Sequence, residues 1–276
     1  MTDYFELTCI LTALVALSIA SYEDLRSREI TSLTWMVAGS IGLAIFIVKY
    51  EANGIWSVAA TSFLFYPAFF ELSPTLRKIL FAVGVAIFFA IFMYTPYYYA
   101  VEPPLVVLLG HILYYTKILK GGADAKAFMI LGILFPTYPS TSIFAIKYEF
   151  FNLVFPFALM VIFYASLCLL FLIPYYAIKN LLAGRIKFPH MFFGYTIPIE
   201  KFGKKFVWLL EHVDESGKIF FKLSPLEDRE KEDIERFRAM GKSEVWVQPQ
   251  IPFVFFILLG YLLTLFIGNP VLAVIG

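Results

Sequence analysis

The stretch Lys120-Gly121-Gly122-Ala123-Asp124-Ala125-Lys126 is a polar, glycine-bearing island between two hydrophobic runs, Pro104 to Ile118 and Ala125 to Phe144. Runs of this kind read as membrane spans, which makes the island the turn between them. A carboxylate is costly near a bilayer and marks a functional site by default. Asp124 is therefore the first candidate, and a second acid at the same depth would complete a site.

Working outward, the chain of 276 residues is 60% hydrophobic and 19% aromatic, against roughly 45–50% apolar for a soluble domain. Its apolar runs are long and continuous, unlike the ~10-residue alternating strands of a membrane barrel. The fold class expected is an all-α polytopic membrane protein. A net charge of +1 gives no global field that would recruit nucleic acid. Cys9 and Cys168 each stand alone in an apolar run, as small buried residues do. No CxxC or paired Cys/His spacing indicates zinc or a disulfide framework, and neither metal nor organic cofactor is implied. Asp3 and Glu6 precede the first run in place of a basic segment, so that run reads as a retained span rather than a cleaved signal peptide.

At roughly 20 apolar residues per span, about eight spans are expected. They run from Phe5 to Tyr22, Ser32 to Val48, Ile55 to Leu72, Arg77-Lys78 onward to Tyr94, Pro104 to Ile118, Ala125 to Phe144, Phe150 to Ile178 and Pro252 to Ile275. Pro136 and Pro139 are signals that would end the sixth early. Tyr94, Tyr97, Tyr98 and Tyr99 read as an interfacial aromatic belt. The domain plan is a membrane domain over 1–179, a cytoplasmic α+β insertion over 180–249 and a final helix over 250–276.

If the chain changes side at each span, only Lys49 and Lys147 of the 22 basic residues fall on one face. The face carrying the other 20 is then cytoplasmic, and both termini lie outside. In the insertion, Phe206 to Leu210 and Lys218 to Leu223 flank Asp214-Glu215-Ser216-Gly217 and read as a hairpin. Ser224-Pro225, followed by Leu226-Glu227-Asp228-Arg229-Glu230, reads as a helix start, with a stop near Gly241. The charge there reads as a solvated face or as a docking platform for a charged substrate segment.

On this topology Asp24 and Asp124 both lie at the cytoplasmic boundary, with an even number of crossings between them. Two facing carboxylates suit aspartyl proteolysis because like charges at close range share one proton. One carboxylate then activates water while its protonated partner polarises the scissile carbonyl. Gly121 and Gly122 either allow close backbone approach to a substrate or simply form a turn. Arg26, Arg28 and Lys126 either stabilise the ionised pair, meet lipid phosphate or anchor topology. Glu23 and Glu29 flank the first site and are expected to be solvated. His111 reads as a packing residue with one hydrogen bond, and His190 and His212 carry no metal spacing. A transporter relaying ions through paired acids is the competing class, but its acids would lie near the midplane on broken helices.

Gly121-Gly122-Ala123-Asp124 resembles the GxGD signature of membrane aspartyl proteases. Ser21-Tyr22-Glu23-Asp24-Leu25-Arg26-Ser27-Arg28-Glu29-Ile30 resembles the segment with the first catalytic Asp of type IV prepilin peptidases, especially their archaeal preflagellin peptidase branch. Met191-Phe192-Phe193-Gly194 and Val245-Trp246-Val247-Gln248-Pro249-Gln250-Ile251-Pro252 resemble the carboxy-terminal part of that branch. The resemblance implies Asp24 and Asp124 as the catalytic acids. It implies cleavage of a short basic leader from archaellin- or pilin-like precursors with class III signal peptides, at the cytoplasmic face of the plasma membrane. The chain departs from the branch in carrying an extra helical hairpin between about Gly54 and Pro104. It also lacks the tetracysteine domain of the bacterial enzymes.

Overall fold

A computed structural model describes residues 4–141, 143, 153–203, 206–223, 226 and 229–270. Lys147, the start of the seventh run at Phe150, the Ser224-Pro225 helix start and the end of the eighth run lie outside the described residues. The chain forms two compact units, Met1–Ser166 with Pro252–Gly276, and Leu167–Ile251.

The first unit is helical: α1 (Tyr4–Ser27), α2 (Ser32–Phe65), α3 (Pro74–Tyr94), α4 (Tyr98–Tyr115), α5 (Gly122–Leu134), most of α6 (Phe157–Leu170), and α9 (Phe253–Ile267). Four helical stretches are long and apolar enough to cross a membrane: Tyr4–Ser27, Ser32–Glu51, Pro74–Tyr94 and Phe157–Leu182. Phe253–Ile267 is apolar but shorter. The described helices thus supply four full-length candidates where the sequence suggests about eight spans.

Part of the difference lies in α2, where Glu51 at φ 47° and ψ −133° interrupts the helix. Beyond it the chain doubles back. The Phe46 ring lies against Gly54 and the Phe65 ring against Gly39, and the Ser40 and Tyr66 hydroxyls meet at 2.7 Å. The two arms match the second and third expected runs, but the returning arm is short. α5 is also shorter than expected, at 13 residues. Pro136 disfavours helical backbone at the preceding residue, and Phe135 leaves the helix at φ −126° and ψ 73°.

α5 is the centre of this unit. Ala125 and every residue from Ala127 to Leu134 are buried, with α1, α2, α4 and α9 packed around them. Apolar burial on all sides is what a helix without a polar face requires. The contact with α4 is close enough that a β-carbon at Gly132 would meet Val106 Cγ1 at 2.3 Å. Small residues at such crossings let backbones approach where lipid offers no hydrophobic drive. At one end of the bundle, Glu6 Oε1 accepts the Ser140 N–H at 2.8 Å and hydroxyl at 2.9 Å. The other end gathers the last turn of α1 and the first turns of α2, α5 and α9.

The second unit holds α7 (Leu172–Leu182), five short strands and α8 (Glu230–Ala239). β1 (Tyr195–Pro198), β5 (Glu244–Pro249) and β2 (Val207–Leu209) form an antiparallel sheet in the order β1-β5-β2. β3 (Glu211–Val213) pairs with β4 (Ile219–Phe221) as a separate hairpin. The expected hairpin is therefore displaced. Its Asp214–Gly217 turn stands, with Asp214 Oδ1 accepting the Ser216 and Lys218 N–H groups at 2.9 and 2.8 Å. Val207–Leu209, however, leaves that hairpin for β5, because Val207, Leu209, Val245 and Val247 complete one core with Ile234 and Phe237 of α8. α8 ends where expected, with Gly241 at φ 72° and the Lys242 N–H bonded to Phe237 O at 3.0 Å.

Candidate active site

Asp124 is the third residue of α5. Its Oδ2 accepts the Gly121 N–H at 3.2 Å, so the carboxylate caps its own helix from inside and faces the positive end of the helix dipole. Gly121 is held to glycine by this bond. A β-carbon there would stand 2.4 Å from Oδ2. Gly122 is exposed, and its nearest neighbour would be Tyr114 at 3.9 Å. Ala123, between them and Asp124, is partly buried.

Asp24 lies on α1, which extends one turn further than the apolar run suggests. Arg28 Nη1 stands 3.6 Å from Asp24 Oδ1, one helical turn on, and Arg28 ends the helix with φ 61°. The Val254 N–H, at the start of α9, is also directed at the Asp24 carboxyl. Asp24 lies near enough for its charge to act on Asp124, although the two are 100 positions apart in sequence.

The remaining basic candidates point elsewhere. Arg26 donates to the Tyr22 hydroxyl at 3.4 Å on an exposed face. Lys126 donates to Ser32 Oγ at 3.0 Å and lies 4.6 Å above the Phe69 ring. Glu23 is partly exposed, and beyond the solvated role expected its two oxygens accept the Thr31 N–H at 2.8 Å and the Thr31 hydroxyl at 2.9 Å. Glu29 is exposed. His111 makes one hydrogen bond, 2.9 Å to Leu64 O, and packs edge-on to Phe81.

A cavity of about 680 Å³ adjoins the start of α5, lined by Gly122, Lys126, Pro67, Arg77, His111 and Tyr114 among others. Neither aspartate lines it: Gly122, Ala125, Lys126 and Met129 give it the face of α5 turned away from Asp124.

Other buried ionisable groups escaped the sequence reading. Glu102 is 1% exposed in α4, and neither carboxyl oxygen has a hydrogen-bond partner among the described residues. The signal available was an acid flanked by apolar residues and prolines. In the second unit, buried Glu211 accepts Lys187 and, at 2.6 Å, Lys242. Burial works to raise its pKa, but these two cations outweigh burial and hold it below the ordinary value. His212 Nδ1 and Asp233 Oδ2 meet at 2.7 Å with both side chains buried. No local spacing announces either cluster, since each joins residues about 20 or more positions apart.

Comparison with known proteins bears on the whole chain. The family model for the archaeal peptidase A24 C-terminus, type II, matches residues 186–269. That region spans the second unit's strands and α9 and contains neither aspartate. An uncharacterized protein of Methanocaldococcus jannaschii is 28% identical over 258 residues, 92% of this chain and 90% of its own length. The preflagellin peptidase of Methanococcus voltae is 23% identical over 270 residues, covering 95% of this chain and 96% of its own length. The chain is thus similar over nearly its whole length to an archaeal preflagellin peptidase, and its residues 186–269 match the archaeal peptidase A24 C-terminus.

Proposed function

We propose that the protein is a membrane aspartyl endopeptidase that removes the basic leader peptide from archaellin- or pilin-like precursors with class III signal peptides. What supports this reading is that Asp24 lies near enough for its charge to act on Asp124, which sits in the first turn of a buried helix. One carboxylate takes a proton from water as the water attacks the scissile carbonyl, and the other, protonated, gives its proton to the carbonyl oxygen. As the C–N bond of the tetrahedral intermediate breaks, the first acid passes the water's proton to the leaving amine and the second recovers its proton from the collapsing diol. Gly121 and the start of α5 hold one acid, and Arg28 and the Val254 N–H hold the other. The reaction so written uses no metal or organic cofactor.

The site belongs to a multi-pass plasma-membrane protein of about eight spans, counting both arms of α2 and the short helices α4, α5 and α9. Its aspartates face the cytoplasm and its termini lie outside, as the distribution of basic residues favours. The bilayer presents the precursor's hydrophobic amino-terminal helix alongside the enzyme, with the leader at the cytoplasmic edge. The second reading, an ion- or proton-coupled carrier, draws on buried Glu102, an intramembrane acid of the kind such carriers use.

The test is cleavage of a panel of preflagellin and prepilin precursors by membranes containing the protein. Asp24→Asn and Asp124→Asn each abolish cleavage while insertion and folding persist. Near-normal cleavage by either variant would remove the dyad, and no cleavage of any precursor by the unaltered protein would favour the carrier.

A further inference from the structure

We infer that Thr31 and Ser32, the capping residue and the first residue of α2, are positioning residues that set the separation of the two aspartates. This inference rests on the dyad proposed above. Thr31 binds the residue immediately before Asp24, through the two bonds to the Glu23 carboxylate of 2.8 and 2.9 Å. Ser32 binds the residue two beyond Asp124, through the 3.0 Å bond from Lys126 Nζ. Consecutive residues of one element thus clamp the neighbours of both acids, and α1 and α5 are registered against each other through α2.

Two features show that these bonds are not incidental capping. Thr31 occupies the position before the first turn of α2, where a threonine hydroxyl ordinarily accepts an N–H of that turn, for about 1 kcal/mol. Here it makes no such bond and turns to Glu23. Lys126 is two residues from Asp124, a spacing at which helical side chains do not face each other. Its ammonium is therefore aimed away from the acid on its own helix and towards α2, and its seat over the Phe69 ring at 4.6 Å fixes that direction. Arg28, with φ 61°, turns the chain sharply between α1 and α2, which brings Thr31 back alongside Glu23.

Separation controls how strongly the two carboxylates share a proton, and therefore the width of the pH range over which the singly protonated, active pair exists. The charged and polar groups on the elements that carry or flank the pair are Glu23 and Arg28 from α1, the Val254 N–H from α9, uncharged Thr31 and Ser32 at the start of α2, and, on the far face of α5, Lys126 with the cavity residues Arg77, Lys78, His111 and Tyr114. Changing Thr31 or Ser32 leaves every one of these charges in place. A shift in the pH profile then reports geometry.

The experiment compares Thr31→Val, Ser32→Ala and the double variant with the unaltered protein in membranes, scoring kcat, KM and the pH profile of precursor cleavage. Misplacing a catalytic group by about 1 Å costs on the order of a hundredfold, so loosening one side of the clamp should lower kcat by roughly tenfold with KM little changed. The bell-shaped profile should narrow from both limbs as coupling weakens. Thr31→Ser and Ser32→Thr, which keep the hydroxyls, should restore both kcat and width. A profile of unchanged width, or hydroxyl-retaining variants as impaired as the others, would overturn the inference and leave a structural role. If instead Asp24→Asn or Asp124→Asn cleaves normally, the dyad itself fails, an outcome separable from loss of the clamp alone.

Discussion

Gly121→Ala isolates the link between the helix cap and the chemistry. A β-carbon at this position would stand 2.4 Å from Asp124 Oδ2 and 2.9 Å from Cγ. Ordinary contact begins near 3.4 Å, so the carboxylate has to retreat by about 1 Å. Displacement on that scale costs on the order of a hundredfold in rate, or about 2.7 kcal/mol on the barrier. Stability should move much less. The lost bond from the Gly121 N–H to a carboxylate is worth about 1.5–3 kcal/mol at most, and the unfolded chain loses freedom on gaining alanine, which returns about 0.4–1 kcal/mol. Gly121 sits at φ −86° and ψ 131°, where alanine is unstrained. The assay is single-turnover cleavage of a preflagellin by the variant, alongside thermal unfolding in detergent. Gly122→Ala serves as the comparison, because nothing lies within 3.9 Å of its β-carbon position, and its loss should be far smaller. Wild-type cleavage by Gly121→Ala, or equal losses at both glycines, would refute the account of the turn.

Two further perturbations address the scaffold. Gly132→Ala places a methyl 2.3 Å from Val106 Cγ1, so overpacking of α4 on α5 should cost about 1–3 kcal/mol; a lowered Tm that recovers in the Gly132→Ala, Val106→Ala double variant checks it. In the second unit, Glu211 has a folded pKa below its ordinary value of 4.5. Its contribution to stability is therefore fully present above that value and lost as pH falls through the folded pKa. Denaturation of the second unit should show this acid-side loss, and Glu211→Gln, which removes the titrating group, should flatten it.

Local signals announced the elements that depend on local chemistry. Continuous apolar runs marked the helices, Pro136 marked the end of α5, and Gly241 marked the end of α8. The aspartate island was legible for the same reason, since a carboxylate between two apolar runs needs a purpose wherever the runs go. The misses share a different cause. Nothing near Glu23 distinguishes a solvated acid from one that receives Thr31, because the reversal at Arg28 that brings them together rests on one left-handed residue. Glu51 breaks α2 in the same manner, in a sequence without proline. The exchange of β2 from the hairpin to β5 was hidden because Val207 and Leu209 satisfy either pairing equally in pattern, and the choice is made by a core whose other members lie on α8 and β5. Buried Glu102 offers no periodicity at all.

The segment between Gly54 and Pro104, which the sequence resemblance marks as an expected addition, comprises the returning arm of α2, the turn through Phe69 and α3. It supplies Leu64, Pro67, Leu72, Arg77 and Phe81 to the cavity beside α5, where Gly122, Ala125 and Lys126 form the opposite wall. The same segment carries Phe69, against which Lys126 is seated. A hairpin that served only as a spacer could pack anywhere on the bundle against lipid. This one lies against the helix that bears Asp124 and forms one wall of that cavity, so its side chains meet whatever occupies the space along α5. Arg77 in the first turn of α3 sits where a helix dipole disfavours a cation, and its place on the cavity lining gives that charge something to face.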